Sequence, residues 1–567
     1  MKKLINDVCA VVPDMLDGLA ALNPHLSLLQ GSTIVVRADA EAVVARGEVA
    51  LISGGGSGHE PAHGGYVGHG MLSAAVAGEV FTSPSTDAVL DAIRAVAGPA
   101  GALLIVKNYT GDRFNFGLAA EIARAEGIPT DMVIVADDVA LTASGDHAGR
   151  RGLAGTVLVH KIAGAAAAAG RPLGEVARIA REVAASLGTM GVALTPCTVP
   201  AAGKPGFELA DGEIEWGLGI HGEPGVERGA MEPAEAIVAR LLTKIVDDLA
   251  LQAGERVALL VNNLGGTPSS ELNVAAGAAL RNLAERGIKV ERAWAGTFLS
   301  ALEMAGISLT LLRVDDERLD WLDAVAHTSA WPASSGRVAQ VSVRPAPQTP
   351  ERTSGATLAR DATLRRVIEA VCACLLKAEP TLTEMDQRVG DGDLGISLSR
   401  GARALLHEFD TYPAATMPGA VLRSMSATLR RVVGGTSGPL YAVMLLRAAA
   451  ALEQSGGATA TQWAAAFGAG VEGLMELGGA RPGDRTMVDA LKPAADALQS
   501  ALAGSTEIGA ALQAAVDAAS EGTAQTASMH PRRGRSSYVG DRALGHVDPG
   551  AHAVALWLAA IRDVWVK

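Results

Sequence analysis

Residues 49–63 read VALISGGGSGHEPAH, and the reading of the first half of the chain turns on them. Val49 to Ile52 is a short apolar run. Four of the next six residues are glycine, and Pro61 opposes a helix. A short apolar run closed by turn residues is the signature of a buried strand. The pattern recurs at Ala102 to Val106, Met132 to Val135 and Val257 to Val261, in most cases followed by a stretch rich in Gly, Asn or Asp and then a helix-like stretch. From about residue 30 to 330 this is the pattern of α/β units. A break at Val246 to Gln252, ahead of a strand-like restart at Arg256, predicts two α/β lobes split near 250.

The texture changes after Asp361. Ala/Leu-rich segments with apolar spacing near three and four cover about 361–378, 395–409, 417–432, 438–454, 461–477, 487–502, 506–519 and 550–565. They predict an all-helical domain. Between the halves, residues 332–358 are rich in proline and small polar residues and read as a linker, although Val338 to Val343 would suit a last strand. The predicted organisation is an α/β domain over 1–331, the linker, and a helical domain over 359–567.

Length and composition agree with two domains. The chain has 567 residues, 49% hydrophobic and 19% charged, beyond the size at which a single core stops growing. A formal net charge of −13 argues against a general nucleic-acid binder. Cys9, Cys197, Cys372 and Cys374 are too few and too scattered for a disulfide framework. Neither a signal peptide nor a long apolar span stands out, so the chain reads as cytoplasmic, with no membrane partner.

Three motif matches fail on context. Gly217 to Gly222 fits G-x-G-x-x-G, but Pro224 and Gly225 follow where a dinucleotide fold needs a helix. His59 to His63 fits H-E-x-x-H, the motif of a zinc peptidase, but the preceding glycines and Pro61 oppose the helix that must carry both histidines. Cys372 and Cys374, two apart on a helix, face different ways and read as small buried residues.

Other constellations carry chemistry. Asp386, Asp391 and Asp393 fall within eight residues, with Gly390, Gly392 and Gly395 allowing tight turns, so that the acids can converge on a hard divalent cation. Gly434 to Pro439, Arg481 to Met487 and Asp548 to Gly550 each open a helix and offer backbone N–H groups to an anion, while Arg535 adds a guanidinium. In the first half, the 53–61 and 107–112 segments follow strands, where open α/β sheets place ligands. A Lys, an Asp and a His meeting there would bind and deprotonate a hydroxyl. His221, set among glycines, suits a ligand-facing turn.

Taken in order, SGGGSGHEPAH (53–63), KNYTGDR (107–113), GLGIHGEPG (217–225), DQRVGDGDLG (386–395), GGTSGP (434–439), RPGDRTM (481–487) and DPGA (548–551) resemble the single-chain ATP-dependent dihydroxyacetone kinases over essentially the whole chain. The resemblance implies a ketose-binding domain followed by an eight-helix barrel that binds ATP. It implies that His221 holds the ketose carbonyl as a covalent hemiaminal. His59 would assist the addition and bind the substrate with backbone of Gly56, Ser57 and Gly58, Lys107 would bind substrate, and Asp112 would act as base. Asp386, Asp391 and Asp393 would hold two Mg²⁺ ions. Leu394, Gly395, Ile396, Ser397, Thr436, Ser437, Gly478, Met487, Arg535, Asp548, Pro549 and Gly550 would line the nucleotide. It further implies a homodimer in which the helical domain of one subunit can serve the ketose site of the other. Dihydroxyacetone is the expected acceptor, with erythrulose or another triose or tetrose as the alternative. Some animal members of the broad family also cyclise FAD. The rivals from other classes are the zinc peptidase and a non-enzymatic ketose sensor.

Overall fold

Two six-stranded sheets, and not one, organise the first part of the chain. The structure is a computed structural model and describes residues 2–141, 149–223, 225–346, 363–534 and 536–566. It divides into two compact units, Met1–Val343 and Arg344–Lys567.

The first sheet contains β1 (Leu26–Leu28), β2 (Ile34–Arg37), β3 (Ala50–Ser57), β4 (Ala74–Val80), β5 (Ala102–Lys107) and β6 (Thr130–Val135), in the order β1-β2-β4-β3-β5-β6. Its centre is parallel: β3 pairs in parallel with β4 and β5, and β5 with β6. The second sheet contains β7 (Leu187–Ala193), β8 (Glu213–Trp216), β9 (Glu227–Ala230), β10 (Arg256–Asn263), β11 (Lys289–Gly296) and β12 (Gly306–Arg313), in the order β11-β10-β12-β7-β8-β9. Only its β10–β11 pair is parallel.

The lobe boundary expected near 250 is therefore misplaced. The helix Ala234–Asp248 packs on the second sheet, to which β10 belongs and whose first strand starts at Leu187. The polar break at 250 is an ordinary helix-to-strand turn, because Ile245 and Val257 pack into one core. Strand alternation sends neighbouring residues to opposite faces, and in the central strands β3 and β5 both faces are buried. Leu51, Leu103 and Ile105 of the first sheet share a core with Ala258, Leu260 and Leu312 of the second. The helix Thr156–Ala168 lies in that core and is buried all round, including His160 and Lys161. The opposite face of the first sheet packs on the helices Thr86–Val96 and Thr110–Ala125.

The glycine segment is also not the loop that was expected. β3 continues through Gly54, Gly55 and Gly56, which pair with Val76, Ala77 and Gly78 of β4. A Cβ at Gly54 would lie 2.3 Å from the Val76 carbonyl oxygen, and one at Gly56 would lie 2.6 Å from the Thr82 nitrogen. Glycine here admits a close backbone approach within a strand. Val338 to Val343 form no strand, and a single bridge joins Arg337 to Arg292.

Among the described residues of the second unit there are helices and connecting turns and no strand. Its long helices are Thr363–Val389, Leu394–His407, Pro418–Val432, Ser437–Ser455, Ala460–Gly478, Val488–Ala503, Ile508–Gln525 and Pro549–Val566. Each packs on the next, and the last returns to the first, so the eight close a ring. The ring encloses an apolar cavity of about 690 Å³. The first helix runs well past its expected end near 378, through Pro380 to Val389, because Leu382 and Val389 are buried on its inner face. No described helix is long and apolar enough to cross a membrane.

Candidate active site

The two lobes of the first unit meet where β3 and β5 end. His59 follows β3 and is fully buried; its Nδ1–H donates to the Ser300 carbonyl at 2.8 Å, across the seam. Asn262 on β10 shapes that carbonyl's turn, accepting the N–H groups of Phe298 and Leu299 at 2.9 and 3.0 Å. In the neutral His59 ring the lone pair is left on Nε2, a buried atom with no partner. Burial, with the Lys107 ammonium and His221 beside it, holds this imidazole well below its usual pKa.

His221 arrives on the turn between β8 and β9. Its ring lies 4.8 Å from the His59 ring, 4.6 Å from Tyr109 and 5.2 Å from Phe81, edge-on in each case. Its Nδ1 is 2.9 Å from Glu223 Oε1. Burial pushes the Glu223 carboxyl up, but the hydrogen bonds from His221 outweigh it and hold it at about 2. Lys107 ends β5, fully buried, and its Nζ has no hydrogen-bond partner. Burial lowers its pKa against the opposing pull of Asp112, Glu223, Asp137 and Glu60. Asp112 sits in the first turn of Thr110–Ala125, buried, with Oδ1 unpartnered. A Cβ at Gly55 would lie 3.3 Å from Lys107 Nζ and 3.5 Å from Asp112 Oδ2, so these two groups share the space that glycine leaves open.

His221, His59, Lys107 and Asp112 thus converge. Gly56, Ser57 and Gly58 border them, but two of their polar groups are already committed: Ser57 Oγ donates to the Gly78 carbonyl at 2.7 Å, and the Gly58 N–H donates to the Glu60 carboxylate at 3.1 Å. His63 turns away from His59 and pairs with His160, Nδ1 to Nε2 at 3.0 Å. Residues 59–63 form a turn and not a helix, so the two histidines do not present the zinc-peptidase face.

Among the described residues, one group of three side chains can converge on a cation: Asp386, Asp391 and Asp393, with one oxygen of each within 4.8 Å of the others. Asp386 sits in the last helical turn, a departure from the all-loop arrangement expected, and its Oδ2 accepts the Leu394 N–H at 3.1 Å. Burial raises its pKa, and the Asp391 and Asp393 charges add to the effect. An all-oxygen set of mutually repelling acids fits a hard divalent cation such as Mg²⁺.

Other predicted nucleotide residues gather near it. A Cβ at Gly435 would lie 3.7 Å from Asp393 Oδ2, which places the loop carrying Thr436 and Ser437 at the acids. Gly395 fits against the first helix, where a Cβ would meet the Glu379 carbonyl at 2.3 Å; Ser397 is buried and Ile396 exposed. Asp548 Oδ1 accepts the Ala551 N–H at 2.8 Å and so caps Pro549–Val566. Burial raises Asp548 to about 6, and the charge of Asp386 reaches it. A Cβ at Gly550 would touch Met487 Cβ at 3.4 Å. Gly478 lies at the exposed end of its helix, against Leu440. Arg535 lies outside the described residues.

Sequence reasoning missed Glu223, Phe81, Tyr109 and Ser300. Glu223 was legible, two residues from His221. The Ser300 carbonyl, 241 positions from His59, left no local signal.

The Dak1 domain matches residues 17–330 and the DAK2 domain residues 388–563. The chain is 46% identical to the triokinase/FMN cyclase of Homo sapiens over 99% of each chain. It is 38% identical to the dihydroxyacetone kinase of Citrobacter freundii, over 98% of this chain and 97% of that one. The crystal structure of the C. freundii dihydroxyacetone kinase in complex with AMP-PNP and Mg²⁺ superposes with a TM-score of 0.65 at 36% identity, covering 99% of each chain.

Proposed function

The chain belongs to the dihydroxyacetone kinase family and is an ATP-dependent phosphotransferase with an alcohol acceptor, and on that premise we propose that it phosphorylates the terminal hydroxyl of dihydroxyacetone while His221 holds the ketone as a hemiaminal. The observation that carries this reading is the convergence of His221, His59, Lys107 and Asp112 at one seam. A nucleophilic nitrogen there selects for a carbonyl and rejects polyols, which offer no bond to form.

His59 Nε2, an acceptor, takes a hydrogen bond from a substrate hydroxyl. This refines the expected assistance to addition, since the neutral ring has no second hydrogen to give. Lys107 supplies N–H groups to the carbonyl oxygen. Asp112, with an uncommitted oxygen, removes the proton of the terminal hydroxyl as its oxygen attacks the γ-phosphorus and ADP departs. Asp386, Asp391 and Asp393 would hold Mg²⁺, which we take as two ions; when bound, the metal neutralises the phosphate charge. Thr436, Ser437, Met487 and Asp548 to Gly550 would orient the nucleotide.

The test is Mg–ATP kinetics over ketoses and aldoses of three to five carbons. The reading expects the highest kcat/KM for dihydroxyacetone and no ketose-dependent ADP release with glycerol; a preference for erythrulose would move the substrate, and ADP release without ketose dependence would reject the site. FAD belongs in the panel because relatives carry the name triokinase/FMN cyclase. His221→Ala is expected to remove the ketose adduct seen by intact-mass measurement. The reading includes a homodimer with sites shared across subunits. Mixing His221→Ala with Asp391→Ala protein would then restore activity that neither variant has alone.

A further inference from the structure

Glu223 performs no step in this scheme, yet it grips His221 twice. Its Oε2 accepts the His221 backbone N–H at 2.9 Å and its Oε1 lies 2.9 Å from the ring Nδ1. A carboxylate only accepts, so Nδ1 carries the hydrogen, and in the neutral ring the lone pair is left on Nε2. The turn that carries both residues is itself fastened. Arg151 Nη2 donates to the Gly217 carbonyl at 2.7 Å, and its Nε donates to Asp138 Oδ2 at 2.7 Å. A Cβ at Gly219 would lie 2.1 Å from Glu223 Oε2 and 2.8 Å from Arg151 Nη1, so glycine leaves room for both. His59, Phe81 and Tyr109 wall the imidazole at 4.6–5.2 Å and oppose a ring flip.

We propose that Glu223 is a positioning residue of the kinase reaction: it fixes the tautomer and plane of His221 so that Nε2 faces the ketose carbonyl, and it balances the positive charge that the ring gains in the adduct. The proposal rests on the reading of His221 as the nucleophile. In the step it serves, the Nε2 lone pair forms the C–N bond. The C=O π pair moves to oxygen, which takes a proton from the Lys107 ammonium. The ring is left cationic, with its Nδ1–H still on Glu223, and reversal returns each proton.

The experiment uses the full-length protein labelled with ¹⁵N-histidine, with His221→Ala to assign the ring. Wild-type His221 is expected in the Nδ1–H form. E223Q, whose amide can donate to Nδ1, is expected to shift it to Nε2–H. With that shift, kcat should fall about 100-fold or more, in line with tautomer-setting carboxylates elsewhere, while the KM for Mg–ATP stays put. E223D should restore the Nδ1–H form and part of kcat. Intact-mass measurement of the wild type with dihydroxyacetone separates the two claims. No adduct overturns the nucleophile reading. An adduct together with an Nε2–H ring in the wild type, or with E223Q retaining kcat within about threefold, overturns the role of Glu223 alone.

Discussion

His59, His63 and His160 are all buried around Lys107, and burial lowers the pKa of each, His160 to about 3. The unfolded chain therefore binds protons that the folded chain refuses. The first unit is fully stable on this account above the ordinary histidine value of 6.5 and loses stability as pH falls from there towards 3. Each histidine adds a slope of up to about 1.4 kcal/mol per pH unit. Urea unfolding between pH 4 and 7 should show this acid lability, and His160→Gln should flatten the slope by about one histidine's share. An unchanged slope would mean that His160 does not stay neutral when folded. Glu223 works in the same pH direction but lower on the scale: held at about 2, it stabilises the fold above the ordinary glutamate value of 4.5 and ceases to as pH falls through 2.

At the scale of the element, β3 shows how a strand can be mistaken for a loop. Ala50 to Ile52 are legible as a strand from their apolar run, but Gly54 to Gly56 look like a ligand-approaching loop until their pairing with β4 is seen. Two glycine substitutions separate packing from propensity. Gly56→Ala puts a Cβ 2.6–2.8 Å from backbone atoms of Phe81 and Thr82, and is expected to cost about 1–3 kcal/mol or more and to raise the ketose KM by moving the Phe81 wall. Gly18→Ala, in the helix Val11–Leu22 with nothing within 4 Å, is expected to stabilise by about 0.5–1 kcal/mol. Thermal unfolding of both variants checks the pair, and equal effects would contradict the role of close approach. In the second unit six of the eight helices were legible within two residues at each end because each repeats its apolar face locally, while the helix expected over 506–519 runs on to Gln525. The first helix overran its expected end because burial of Leu382 and Val389 outweighs the cost of Pro380, which no local pattern reveals.

Across the whole molecule, the candidate ketose and Mg–nucleotide sites lie in separate compact units with separate cores. Each ligand should therefore stabilise its own unit, by about 2.7 kcal/mol at a hundredfold excess over Kd. Asp391→Ala is expected to abolish the shift caused by Mg–ATP and leave the ketose shift intact, as read by calorimetry with each ligand alone. Loss of both shifts would point to unfolding of the chain and not to a metal ligand.

The sequence by itself determined what is local: the strand runs, the eight apolar-faced helices, the acids of 386–393 brought together by their glycines, and the motifs that name the family. Tertiary structure alone decided that two sheets share one core, that a helix with His160 and Lys161 is buried all round, and that Ser300 and Phe81 complete the surroundings of His59. The reason is range. Helical spacing, turn chemistry and short motifs act over a few residues, whereas the tautomer of His59 depends on a carbonyl 241 residues away, which only the packing of two lobes brings to it.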